Sequence, residues 1–372
     1  MFNLGDSCNE KISARSRCIG RLCGRRLGSV VGHAVRHRRP QRQIRQERCH
    51  LGAGHKYSLA RDGINSSQLG FRGIEDLGGG LKAGFLLLAS VGADSGDIGA
   101  GQSASGSGKF WTRRSTLSLY SNAGELRLGR DYTPTFWNNT IFDAFGTNGL
   151  GDSSHVLQLA TTTFVRADNS IGYFLPSNIG GLYGQFMGAV SEPNQAGQAS
   201  NNGRYLGGRV GFAAGPFDVA LAYAQQKDAT GYGSGINLDT WNIGGAWDFG
   251  FLKLMGYYVH DKLDTPVTRS EDRWSISTVV PMGQGEIHVG YSRSKLDHFA
   301  NVANADSNTI WQSAATYQYN LSKRTAVYST VSILDNGDHT RVGVASGTSA
   351  PLGVTELGGK SKGFELGVRH FF

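Results

Sequence analysis

Residues 363–372, GFELGVRHFF, set Phe364, Leu366, Val368 and Phe372 in one phase and Glu365, Gly367 and Arg369 in the other, and the chain stops on a phenylalanine. Period-two alternation under an apolar face is the rhythm of a strand that crosses a bilayer as part of a barrel. The same rhythm returns in about fifteen runs between residue 66 and the C-terminus. Nothing like it precedes residue 58. The chain thus divides into a head and a long β section, and the β section is predicted to be all-β, a transmembrane antiparallel β-barrel.

Composition agrees. Glycine supplies 54 of 372 residues, proline only 8, and charged residues 18%, low for a soluble domain. No apolar run reaches 18 residues, and the best, residues 83–91, is too short to cross a bilayer as a helix. In a barrel only every second residue faces lipid, so a mean hydropathy of −0.29 is no obstacle.

The net charge of +8 points to a nucleic-acid binder until it is located along the chain. Residues 1–55 hold 12 Lys and Arg against 3 Asp and Glu, which leaves 25 against 26 for residues 56–372. All four cysteines, Cys8, Cys18, Cys23 and Cys49, also lie in the head, so the barrel section is cysteine-free, as suits export through an oxidising compartment.

Three readings of this basic head compete. It can be a disordered arm for nucleic acid or anionic lipid. Cys18, Cys23, His33 and His37 can be drawn as a zinc site, although their spacing fits no usual finger, and no metal site is expected. The third reading is a frame shift. Written as degenerate codons and read one base later, GHAVRHRR (residues 32–39) permits Val-Thr-Leu-Tyr-Gly-Ile-Val-Asp, an alternating strand. The same shift at Asn9, Glu10 and Lys11 permits Met-Lys-Lys before a stretch codable as Ala, Val, Leu and Ser, the layout of a secretory signal peptide. As written, the head carries no usable export signal. Residues 1–55 are therefore expected to be a non-barrel head, a frame-shifted signal peptide and first strand, and residues 56–372 the barrel.

Along the barrel section the separators alternate short and long. Short ones at residues 76–80, 121–124, 176–181, 215–216, 249–250, 281–285 and 320–324 carry the Gly, Pro, Asn and Asp of tight turns. Long polar ones fall at residues 92–109, 131–161, 191–203, 228–235, 263–270, 298–307 and 335–362. Periplasmic turns and extracellular loops of an up-and-down barrel sort in this way, and a β-sandwich does not. Phase then assigns faces. Leu69, Phe71, Phe217, Val219, Leu221, Tyr223, Ile287, Val289 and Tyr291 point to lipid, whereas Gln68, Arg72, Asp218, Glu286, His288 and Ser292 point inward. Charges at inward positions cannot form a dry core. The lumen is expected to be wet.

The segments SSQLGFRGIEDLGGGLKAGF (66–85), GELRLGRDYTP (124–134), RADNSIGYFLP (166–176), NLSKRT (320–325) and the terminal GVRHFF together resemble the general porins of Gram-negative bacteria, in particular the trimeric type of β-proteobacteria. The resemblance covers residues 56–372. It implies a 16-stranded barrel, fifteen strands being visible here and the first lost in the head, association as a homotrimer in the outer membrane, and a third extracellular loop folded into the lumen as a constriction. Residues 131–161 supply that loop: about 30 residues is long for a connection without function, and Trp137, Phe142 and Phe145 would be costly to leave in water.

Similar porins set acids on this loop across from a basic wall. Asp131, Asp143 and Asp152 can be the acids, and Arg72, Lys82, Arg114 and Arg166, inward in phase, the wall. Arg130 matches the family's Leu-Gly-Arg motif, yet alternation with Leu126 and Leu128 points it outward unless a bulge intervenes. Arg113 and Arg293 suit a rim that meets lipopolysaccharide phosphates. Phe364, Leu366, Val368 and Phe372 form the insertion signal for the barrel-assembly machinery. Departures from the family are Gln68 where relatives often have arginine, Leu86 and Leu88 at inward positions, and His370 where an aromatic or apolar residue is usual.

The function implied is a passive diffusion channel for small hydrophilic solutes and ions, with no cofactor and, because the barrel section is nearly neutral, a weak ion preference. A barrel enzyme is disfavoured because any Ser, His and Asp trio picked from so many such residues is expected by chance. The alternatives are a substrate-selective porin, a surface adhesin, and a non-functional product of a frame-shifted gene. An intact signal peptide is the condition for outer-membrane localisation.

Overall fold

The computed structural model describes residues 33–38, 56–98, 109–159, 161, 163–177, 179–190, 204–229, 235–299, 307–345 and 357–372. The four cysteines and the signal-like segment from Asn9 lie outside the described residues. Seventeen strands form one sheet. They are β1 (His33–Arg38), β2 (Lys56–Ala60), β3 (Gln68–Gly78), β4 (Leu81–Ser90), β5 (Arg114–Ser121), β6 (Gly124–Tyr132), β7 (Arg166–Phe174), β8 (Leu182–Ala189) and β9 (Arg204–Ala214), followed by β10 (Phe217–Lys227), β11 (Leu238–Asp248), β12 (Lys253–Leu263), β13 (Arg269–Met282), β14 (Gly285–Asp297), β15 (Asn308–Asn320), β16 (Thr325–Asp335) and β17 (Lys360–His370). The fifteen strands read from the sequence are β3–β17. Turns such as Gly215 (φ 57°) and Gly283 (φ 60°) need the left-handed backbone that glycine adopts without strain.

Facing follows phase. On β13, Glu271, Arg273, Ser275 and Ser277 are buried while Trp274 and Ile276 are exposed; on β15, Gln312, Thr316 and Gln318 are buried while Tyr317 and Tyr319 are exposed. Polar residues thus line the inside and large apolar ones coat the outside, the reverse of a water-soluble sheet. Leu86 and Leu88 keep the lumen phase, in register with Arg72 and Gly70, with no slip in β4.

Every ladder from β3 round to β17 is antiparallel, so β3 and β17 run the same way. Loss of a first strand would have forced those two to close in parallel. Instead β1, from the basic head, runs antiparallel to both β17 (Ala34 opposite Leu366, Arg38 opposite Lys362) and β2 (His33 opposite Ala60). β2 runs with β3, and the two are pieces of one wall position broken by residues 61–67. Sixteen positions therefore surround the lumen. The β1 ladder is short, however, and among the described residues β3 pairs with β4 alone.

Candidate functional site

The connection between β6 and β7 turns into the lumen. Thr133 caps α1 (Pro134–Ile141), its hydroxyl accepting from Phe136 N at 3.3 Å, and Pro134 opens the first turn, where its missing N–H costs nothing. From the helix, Asn138 Nδ2 donates to Ala220 O (3.1 Å) and Asn242 Oδ1 (2.8 Å), Arg209 Nε donates to Asn138 Oδ1, and Asn242 Nδ2 donates to Thr135 O (2.9 Å). The inner wall thus holds the start of the loop.

Phe142 and Phe145 at the tip are buried against Ala220, Ala246, Met255, Tyr257, Val259 and Ala314. Glycines on the wall admit them. A Cβ added to Gly244 would lie 2.2 Å from Phe142 Cδ2, and one on Gly290 2.7 Å from Phe145 Cε2. Burying each ring stabilises the docked loop by about 1.5–3 kcal/mol. Trp137 packs edge-on to Tyr132 at 5.1 Å. The aromatics of the loop are sheltered inside, as its length and composition suggested.

Further along, Leu150 and Val156 pack against Ala60, Ile310, Leu334 and Val344, and Gln312 Nε2 donates to Leu150 O at 2.8 Å. The end is held by Glu271, which accepts from Gln158 N (3.0 Å), Leu159 N (2.6 Å) and Ser294 Oγ (2.8 Å) beside the Arg273 guanidinium at 3.2 Å. This buried carboxylate is paired on every side.

Where the loop leaves the wall, charged groups gather around Tyr132. Its hydroxyl accepts from Arg166 Nη2 (3.0 Å) and Arg113 Nη2 (3.3 Å), and its ring lies 4.6 Å from the Arg166 guanidinium and 5.8 Å from that of Arg114. A cavity of 210 Å³ here is lined by Arg113, Arg166 and Tyr132 on one side and by Asp152 and His155 of the loop, with Asp62 also on it. Arg61 stands 3.6 Å from Asp62.

The sequence-predicted residues divide. Arg166 and Asp152 line this cavity. Arg114 sits beside it but is spent on Asp131 (2.7 Å), which also takes Arg127 (2.6 Å) and is itself buried. Asp143 is buried in the loop tip, accepting from Thr147 N (2.9 Å), Phe145 N (3.2 Å) and Ser153 Oγ (2.9 Å), and burial pushes its carboxyl up to about 6. Arg72 and Lys82 are exposed on β3 and β4 and do not line the cavity. A bulge does occur between Gly129 and Asp131, but it is Asp131 that joins Arg114 and Arg127. Arg130 instead meets Asp168 at 2.6 Å, next to Lys109.

Arg113, expected at the rim, is in the cluster because it precedes β5, where strand phase does not yet apply. Arg61 and Asp62 escape the same rule in the break between β2 and β3. Arg127, Arg209 and Arg273 were missed although phase marks them, Arg127 lying between outward Leu126 and Leu128, Arg209 before Val210 and Arg273 before Trp274. At the other end of the chain, Phe364, Leu366, Val368 and Phe372 are all exposed on the outer side or the end of β17.

The sequence pattern of the family described as Gram-negative porin matches residues 50–339. The chain is 35% identical to outer membrane porin protein 32 of Delftia acidovorans, over 85% of this chain and 88% of that one. It is 27% identical to an outer membrane porin protein of Bordetella pertussis, over 78% and 85%. Among solved structures, an anion-selective porin from Comamonas acidovorans superposes with a TM-score of 0.77 at 31% identity, covering 92% of this chain and 97% of the other.

Proposed function

This chain belongs to the Gram-negative porin family and is a passive channel of the outer membrane, and from that premise we propose that it passes small hydrophilic solutes with a preference for anions set at the Tyr132 cluster. The observation that carries this reading is the count of charge around Tyr132. Arg114, Arg127 and Arg130 are matched by Asp131, Glu125 and Asp168. Around the cavity Arg113 and Arg166 face Asp62 and Asp152, and Arg61 stands behind Asp62 at 3.6 Å, so the cluster counts three guanidinium groups against two carboxylates. A barrel that is neutral by count can therefore favour anions where selection occurs. A relative that is an anion-selective porin supports the same sign.

The test is the zero-current potential in a tenfold potassium chloride gradient. Arg166→Glu changes the cavity by two charges. At about 5 Å in a water-like dielectric each is worth about 0.8 kcal/mol, so passage of an anion is disfavoured and that of a cation favoured by roughly fifteen-fold each at low salt, and the anion-to-cation permeability ratio falls on the order of 200-fold. A cation-selective parent channel contradicts the reading. Saturable block by one solute would mark a substrate-selective porin instead.

Three finer readings go with it. Homotrimer formation is supported by the family resemblance and by the apolar outer faces of β3–β6, with Phe71, Leu117, Leu119 and Leu128 exposed. The outward Phe364, Leu366 and Val368 support recognition by the barrel-assembly machinery. Residues 1–55 as an out-of-frame leader and first strand are supported by the position of β1 on the very segment whose shifted reading alternates, and by the edge of β3 left with one partner among the described residues. Backbone groups unpaired in hydrocarbon cost several kcal/mol each. The DNA across codons 8–56 decides it: a one-base change restoring Met-Lys-Lys is expected, and an uninterrupted frame shared by close relatives overturns it.

A further inference from the structure

The lumen wall is not polar throughout. On β3–β5 the inward phase passes through apolar side chains: Leu88 stands beside Gly70 in register, Leu86 beside Arg72, Ile74 beside Gly84, and Tyr120 beside Lys82. Leu86 and Leu88 are departures from the family at inward positions, so this stretch belongs to the present chain and not to the shared pattern.

Glycines let the larger neighbours close over the sheet. A Cβ added to Gly70 would lie 2.2 Å from Leu88 Cδ2, and one on Gly84 would lie 3.0 Å from Tyr120 Cε2 and 3.4 Å from Ile74 Cγ1. Leu88, Leu86, Ile74 and Tyr120 thus join into one apolar strip that descends from the loop end of β4 toward its turn. Six residue steps of about 3.4 Å, from Leu88 to the level of Lys82, make it about 20 Å long.

The strip does not serve to pack the constriction loop. Helix α1 lies on β8–β11, and the turns at residues 149–156 lie on β14–β17. Among the described residues none of the strip's side chains belongs to the apolar clusters that hold the loop. They stay open to the lumen instead: Ile74 is 64% exposed, and Leu86, Leu88 and Tyr120 are half-buried.

One cation beside the strip is left to act on a solute. Arg114, next to Leu88, is held by Asp131 at 2.7 Å, and Lys82 stands opposite Asp76 across the hairpin. Arg72, in the same row as Leu86, is exposed, and among the described residues it has no ion-pair or hydrogen-bond partner. A guanidinium binds a carboxylate through paired N–H donors, and an apolar lining supplies contact area to the rest of a ligand that a few polar groups orient.

We propose that this strip is a weak binding track for amphipathic monocarboxylates, in which the charge is carried on an aromatic ring or a branched alkyl chain. The carboxylate meets the Arg72 guanidinium, and the apolar body lies along Leu86, Leu88 and Ile74. The track deepens the reading of the chain as an anion-preferring channel and rests on it for entry of the solute, but it acts on a part of the wall outside the Tyr132 cluster.

Single-channel current in potassium chloride at pH 7, with probes added at millimolar concentration, tests the track. Benzoate should lower the mean open current of the parent, and phenylacetate and 4-methylpentanoate should do likewise, since the strip selects a class and not one solute. Acetate, which has the charge without the body, and benzamide, which has the ring without the charge, should each need at least tenfold more for the same reduction. Leu86→Ser combined with Leu88→Ser should raise the half-blocking concentration of benzoate at least fivefold and leave that of acetate unchanged. Ile74→Ser, a milder change that guards against a misfolded double variant, should raise it at least twofold. Arg72→Gln should remove the difference between benzoate and benzamide. Equal block of parent and folded strip variants by benzoate would overturn the proposal. So would equal block by benzamide, which would mean adsorption of any ring, equal block by acetate, which would mean a site for any carboxylate, or block by benzoate alone of the three amphipathic anions. The zero-current potential of the same proteins keeps the two readings apart: a cation-selective parent contradicts the anion preference, whereas an anion-selective parent whose benzoate block ignores the strip variants contradicts the track alone.

Discussion

Replacing Asn138 with alanine probes what keeps the constriction loop in the lumen. The side chain donates to Ala220 O at 3.1 Å and to Asn242 Oδ1 at 2.8 Å and accepts from Arg209 Nε. Two neutral bonds at about 1 kcal/mol each and one charge-assisted bond at about 2 sum to about 4 kcal/mol. Alanine returns about 0.5 kcal/mol through its better helix propensity. Arg209 keeps its bond to the Tyr183 hydroxyl at 3.1 Å, so it is not stranded. The net cost of about 3.5 kcal/mol shifts the balance between docked and released loop roughly 300-fold toward release. Because the three bonds tie the loop to β9, β10 and β11 without being ladder bonds between those strands, the wall itself should survive. Planar-bilayer recording of single channels is the assay, with heat-modifiable migration as the check that the barrel is folded. Asn138→Ala should show added open-channel noise and a larger mean conductance. Unchanged noise and conductance in a folded variant would refute the assignment of this residue as a loop anchor.

Gly244→Val should expel the tip, since even a Cβ would lie 2.2 Å from Phe142; sugars too large for the parent should then enter liposomes in a swelling assay, whereas Gly245→Val, near only backbone and Val219, should be milder. The carboxyl of Asp143, pushed up to about 6 by burial against an ordinary 3.8, binds its proton more tightly in the docked loop than in the released one. Docking is therefore strengthened as pH falls from about 6 to about 4 and loses that contribution above 6. Open-channel noise should decrease over that window, and Asp143→Asn should be quiet at both ends of it. Glu271→Ala should release the far end of the loop, leaving Gln158 N and Leu159 N without their acceptor and Arg273 with Asp261 alone, two bonds to a charged acceptor worth about 1.5–3 kcal/mol each, read as greater protease sensitivity near residue 158.

The barrel was legible because every second side chain in β3–β17 obeys the same rule, and because glycine-bearing turns alternate with long polar loops. The loop inside the lumen was legible from Trp137, Phe142 and Phe145, which have no other apolar refuge. What phase could not reach lies where phase lapses. Arg61, Asp62 and Arg113 sit just outside strands, and the bulge at Gly129 decides which of Arg130 and Asp131 joins the inner network. The acids were harder still. Asp131, Asp143 and Asp152 look alike in the sequence, but one neutralises two arginines, one ties the loop tip to itself, and only Asp152 faces the cavity. Residue type and spacing do not separate these roles, because each depends on partners more than 10 residues away or on a turn of the loop backbone.

The most direct test of a water-filled lumen is single-channel current during addition of a charged, membrane-impermeant thiosulfonate to a chain whose four head cysteines have been replaced by serine. Cysteine at Glu286 or Arg369, which point inward, should give a stepwise drop in current; cysteine at the adjacent Ile287 or Val368, which point to lipid, should give none. Block at the outward pair with no effect at the inward pair would contradict the facing of the whole barrel.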